Sequence, residues 1–146
     1  MADKIAEILA PIAKSKGAKV VSVEYGGKTL RVLVEGEDYS SLPLAKIEEL
    51  SRLFSAQLDV EDAISERYFL EVSSPGMERP IITREDWEHF TGREAAIEFR
   101  EPVDGARHIR AKISSEIDFN NVLRAKLAVS DEDIRNILKE RKKKDG

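Results

Sequence analysis

Few residues in this 146-residue chain are of types that make or break bonds. Cysteine is absent and histidine occurs twice, as His89 and His108. Thiolate nucleophiles, disulfides and cysteine-based zinc sites are therefore excluded, and no structural metal is expected. No Walker loop, GxGxxG, GxSxG elbow or histidine pair at metal spacing occurs. Ser73 or Ser74 with His89 and Asp86 supplies the residue types of a hydrolytic triad. Those types recur in almost any chain of this length, and the roles require a geometry that spacing does not provide. Asp86 and Glu88 read equally well as charges at a helix N-terminus. Trp87, the one tryptophan, reads as packing at a domain junction rather than as a platform for a base. The expectation is a non-enzyme without a cofactor.

Charge offers more. The net charge is −4, but residues 1–90 hold 11 Lys and Arg against 17 Asp and Glu, whereas residues 91–146 hold 13 against 11. An acidic first part suits a basic protein partner, and Glu35, Glu37, Asp38, Glu61 and Asp62 are its candidate protein-facing residues. In the second part His108, Arg110 and Lys112 alternate with Ile109, Ala111 and Ile113, while Arg124 and Lys126 alternate with Leu123, Ala125 and Leu127. Pairing those two strands would gather four permanent positive charges, joined by Arg107, into a candidate phosphate-facing patch.

The elements that must hold these residues follow from periodicity. Ile5, Ile8, Leu9 and Ile12 recur at helical spacing before Gly17, a left-handed cap. Val20–Tyr25 and Leu30–Glu35 alternate, joined through Gly26-Gly27 as a hairpin, with Val21, Val23 and Tyr25 on one face and Leu30, Val32 and Val34 on another. Ser40-Ser41 offers a cap ahead of Pro43 for a second helix bearing Leu44, Ile47, Leu50, Phe54 and Leu58. Tyr68, Leu70 and Val72 mark a third strand, completing a two-layer α-β-β-α-β sandwich. Ser74-Pro75-Gly76-Met77 has the chemistry of a type II turn. Thr83 and Asp86 form a capping-box-like start to a short helix with Trp87 and Phe90, closed by Gly92. Strands are expected at Glu94–Phe99, His108–Ile113 and Val122–Leu127, and a terminal helix from Ser130 and Asp133 with Ile134, Ile137 and Leu138. The fold class is α+β in two domains: residues 1–82, a linker with a short helix at 83–91, and a small β-barrel with its terminal helix at 92–146. No stretch approaches the roughly 20 apolar residues of a membrane span, and the N-terminus is unlike a signal peptide. A cytoplasmic, monomeric protein without a membrane partner is expected.

The run Leu70, Glu71, Val72, Ser73, Ser74, Pro75, Gly76, Met77, Glu78, Arg79, Pro80 is long and specific. It resembles the hallmark of the ribosome maturation factor RimP family. Leu58-Asp59, Tyr68, Gly92, Ala125 and Leu127 also stand where that family places them, so the resemblance covers most of residues 1–129. It implies a KH-like N-terminal α/β domain and a C-terminal Sm-like or SH3-like barrel. It further implies non-enzymatic help in assembling the small (30S) ribosomal subunit, with the immature subunit, a ribosomal protein and rRNA as partners. Two departures matter. The first domain lacks the GXXG loop with which KH domains clamp a nucleic-acid backbone. The second is short, with only Ser114–Asn121 between its last two strands. Within the motif Arg79 is the expected functional residue, its structural alternative being a pair with Glu71 or Glu78. An adaptor with an SH3-like barrel is the competing reading.

Overall fold

The computed structural model describes residues 1–129 and Arg135. It divides into two units, Met1–Pro75 and from Gly76 onward. In the first, helix α1 (Ala2–Ser15) buries Ile5, Leu9 and Ala13. It ends as expected at Gly17, whose φ of +71° suits a residue without Cβ and whose amide donates to the Lys14 carbonyl at 3.1 Å. Strands β1 (Ala18–Gly26) and β2 (Thr29–Gly36) form the antiparallel hairpin. Its two-residue turn is Gly27-Lys28, one position later than Gly26-Gly27, and both residues have positive φ, the conformation that matches strand twist. The register slips between Val20 and Ser22, leaving Val21 as a bulge. Val20, Val23 and Tyr25 therefore pack on the same core as Leu30, Val32 and Val34. Val21 is buried outside that core, so the expected Val21, Val23 and Tyr25 face is corrected.

Helix α2 (Leu44–Glu61) buries Leu50, Phe54 and Leu58 in this core. Leu44, in the first turn, is 71% exposed, so the apolar stripe begins one turn later than its sequence suggests. The cap position is Pro43, without a side-chain cap. Ser40, expected to cap, instead donates its hydroxyl to the Asp38 carboxylate, and these contacts hold that carboxyl below its ordinary range. Strand β3 (Phe69–Ser73) lies parallel to β2, giving the order β1-β2-β3. An ion pair of 2.9 Å between Lys16 and Glu49 ties α1 to α2. Tyr25 donates to Glu66 and fastens the α2–β3 connection to the hairpin.

The second unit holds an antiparallel sheet of order β4-β7-β5-β6, made of β4 (Pro80–Ile81), β5 (Glu94–Val103), β6 (Ala106–Lys112) and β7 (Val122–Leu127). Helix α3 (Arg84–His89) precedes β5. A 3-10 turn at Phe119–Asn121 precedes β7, and β5 and β6 join through Asp104-Gly105, both at positive φ. Ile81, Trp87, Ala95, Ile97, Phe99, Ile113, Val122, Ala125 and Leu127 form the core. This explains why the boundary falls at Pro75/Gly76 rather than after residue 82. Pro80 and Ile81 pair with Lys126 and Ala125, and Trp87 is buried in this core, so residues 83–91 are not a linker. No pairing closes β6 onto β4 among the described residues. The expected terminal helix lies outside the described residues, apart from Arg135. No helix among those described is long and apolar enough to cross a membrane.

Candidate functional site

The motif runs from one unit into the other. Leu70 and Val72 turn to the first core, while Glu71 reaches Arg31 at 3.5 Å on the exposed side of the sheet. Ser74 is exposed and Pro75 half-buried. Gly76 has a φ of +68°, the positive value expected at the third turn position. A Cβ there would meet nothing within 4 Å, so its requirement for glycine is a matter of backbone alone. Replacing Gly76 by Val should cost about 1–3 kcal/mol, read as a lower melting temperature; an unchanged melt would remove this role.

Arg79 is not a surface residue. It is 4% exposed, and its guanidinium makes a two-pronged contact with Asp86, Nη1 to Oδ2 at 2.9 Å and Nη2 to Oδ1 at 3.2 Å. Nη1 also donates to the Pro80 carbonyl at 2.7 Å, and the guanidinium lies 5.2 Å from the Phe90 ring centre. The Arg79 carbonyl accepts from the Leu127 amide at 2.9 Å. Asp86 in turn accepts from the Ile82 and Thr83 amides, each at 3.1 Å, and its own amide donates to Thr83 Oγ1 at 2.9 Å. Thr83 and Asp86 thus form the expected capping box, with Arg79 closing its carboxylate from the other side. Burial opposes ionisation of Asp86, but the Arg79 hydrogen bond and the two amides outweigh it and hold the carboxyl down at about 2. The pairing with Glu71 or Glu78 is corrected: Glu78 faces Lys126 at 3.5 Å instead. The hydrolytic set loses its Asp to this network. Trp87, likewise buried, is unavailable to a base.

The cationic residues are brought together differently from expectation. β6 and β7 do not pair with each other, because β5 runs between them. Its register sets Ala96 between Arg110 and Lys126, Glu98 between His108 and Arg124, and Glu94 opposite Lys112. The intervening carboxylates take up charge. Arg110 pairs with Glu94 at 2.9 Å, Arg124 with Glu98 at 3.0 Å and Lys126 with Glu78 at 3.5 Å. The face is a mixed-charge lattice with a cationic excess, not a bare positive patch. Arg107 is exposed near the β5–β6 turn, out of step with His108, Arg110 and Lys112. Glu94 and Glu98 were legible as acids at alternate positions in β5, but only strand order places them among the cations.

Of the acidic residues, Glu37, Asp38, Glu61 and Asp62 are exposed. Glu35 is not: it is 3% exposed and pairs with Lys19 at 3.4 Å, whose ammonium sits over the Tyr39 ring. It drops out of the protein-facing set because its carboxylate is spent inside the first unit. Gly36, next to it, is hemmed in by Ser40 and Asp38, where a Cβ would come within 2.5 and 2.7 Å of side-chain oxygens.

Compared with known families, residues 8–78 match the model described as the RimP N-terminal domain. That stretch belongs to the RimP family. The match takes in the α-β-β-α-β unit from within α1 through β3, and its end at Glu78 includes the motif down to the residue before Arg79. A RimP-family chain is a ribosome maturation factor in kind, and the motif's second half, Arg79 and Pro80, here serves to anchor β4 and α3.

Proposed function

We propose that this chain assists assembly of the small ribosomal subunit, binding its immature form without catalysing a reaction. The match over residues 8–78 carries this reading. The α-β-β-α-β order fits a KH-like first domain without its GXXG loop, and the antiparallel sheet of the second unit fits a small Sm-like or SH3-like barrel in a cytoplasmic monomer. The lattice on that sheet is the proposed rRNA-facing surface, through the cations that exceed Glu78, Glu94 and Glu98. Glu37, Asp38, Glu61 and Asp62 are proposed to face a basic ribosomal protein.

Sedimentation of the full chain with immature small subunits tests the function. Co-pelleting that weakens with salt is expected, and its absence overturns the reading. Changing Arg110, Lys112, Arg124 and Lys126 together to Gln tests the surface. The fold should persist, since all four side chains are exposed. Binding should weaken and the salt slope fall by about 0.7–0.9 for each phosphate no longer neutralised. Because three of the four cations are paired with carboxylates, the fall should be smaller than four unpaired cations would give. An unchanged affinity and slope would clear this face of rRNA.

A further inference from the structure

The sheet of the second unit ends on β6, and one hydrogen bond fixes the parity of that strand's backbone. The Ile113 amide donates to the Arg93 carbonyl at 2.9 Å, so residue 113 turns toward β5 and its extension. In an antiparallel ladder successive residues turn their N–H and C=O groups to opposite sides. Ala111 and Ile109 therefore face β5, and His108, Arg110 and Lys112 direct their backbone groups outward. Among the described residues no strand takes them up. The same three residues carry exposed nitrogen-bearing side chains, aligned on one face. Arg110 is engaged with Glu94 and with the Val129 carbonyl at 3.0 Å, whereas no ion pair of His108 or Lys112 occurs among the described residues. Outward hydrogen-bonding groups and nitrogen-bearing side chains, two of them permanently cationic, thus share a spacing of two residues along one edge.

We propose that the β6 edge binds an extended acidic segment of a partner protein, added as a further strand, with carboxylates at alternate positions opposite His108, Arg110 and Lys112. Strand addition draws affinity from main-chain hydrogen bonds and selectivity from alternate side chains. Basic residues on an edge deter pairing with neutral or basic strands, and the same charges favour an acidic one. RNA could engage the charges, but it has no peptide ladder to offer the outward amides and carbonyls. This proposal concerns the sheet's edge and does not depend on rRNA lying on its face.

The test uses the full chain and an end-blocked eight-residue peptide alternating Glu with Val. In the free chain the His108, Arg110 and Lys112 amides should exchange quickly with deuterium, and the peptide should protect them. His108→Pro removes an outward N–H while leaving the ladder to β5 intact, a substitution tolerated on edge strands. It should weaken peptide binding by about tenfold or more. A peptide N-methylated at the residues that face β6 tests the same hydrogen bonds without altering the chain, and it should fail to bind. Protection of the three amides before peptide is added would overturn the proposal. So would undiminished binding of the N-methylated peptide, or protection by an oligouridylate where the peptide gives none.

Discussion

Arg79→Ala should destabilise the second unit by about 3–5 kcal/mol, the cost of leaving one member of a buried ion pair without its partner. The carboxylate of Asp86 is 5% exposed and would retain only the Ile82 and Thr83 amides and its other local contacts. Arg79→Lys should recover part of the loss, since an ammonium restores charge but not the two-pronged geometry. Urea unfolding followed by far-ultraviolet circular dichroism reads the change, and a loss below about 1 kcal/mol would contradict the assignment. This reverses the expectation from the sequence that Arg79 is the functional residue of the motif and not a structural one. A binding defect in this variant therefore needs to be read against its stability.

The same pair sets a pH dependence. Asp86 ionises at about 2 in the folded chain, below its ordinary 3.8, so the unfolded chain binds the proton more readily. Its contribution, about 2 kcal/mol, is fully present above roughly pH 5 and is lost as pH falls through 4 toward 2. In Arg79→Ala the carboxyl should titrate higher and this part of the acid loss should shrink. A wild-type and variant stability difference that stays constant between pH 6 and 2.5 would argue against the linkage.

Much of this fold was legible in residue patterns. The helical spacing of Leu50, Phe54 and Leu58 and the alternation of Val122–Leu127 were enough to place α2 and β7. The capping box at Thr83 and Asp86 followed from three-residue spacing. What failed depended on long-range pairing. The bulge at Val21 has no local signature, and two-residue alternation carried across it assigns side chains to the wrong face. Pro80–Ile81 is too short to alternate, so its strand partner could not be inferred and the domain boundary shifted with it. β6 alternates as its sequence suggests, but in β7 a register shift leaves Leu123 39% exposed beside Arg124 instead of facing the core with Ala125 and Leu127, and the order of the two strands was not legible at all. β5 between them brings Glu94 and Glu98 into the lattice, and that insertion changes a four-charge patch into a nearly balanced one.

Trp87→Ala should be comparably damaging, by about 3–5 kcal/mol, because it removes the largest side chain from a small core. Trp87 is 4% exposed, its ring lies 5.5 Å from that of Phe119, and its indole N–H donates to the Ser114 carbonyl at 3.3 Å. These contacts join α3 to the Ser114–Asn121 connection, the segment that in sequence looked too short for its domain. Trp87→Phe separates the two contributions. It keeps most of the apolar volume and loses the indole hydrogen bond, a net effect of about 0.5–1.5 kcal/mol for the bond itself plus a packing cost. Because Trp87 is the only tryptophan, its fluorescence follows the wild type, and circular dichroism must follow the variants. The ranking of Ala well below Phe, with Phe modestly below wild type, is expected for a core residue. If Trp87→Ala keeps its stability but loses affinity for immature subunits, Trp87 meets RNA or protein directly, and the burial of its ring in the second core is not its working state.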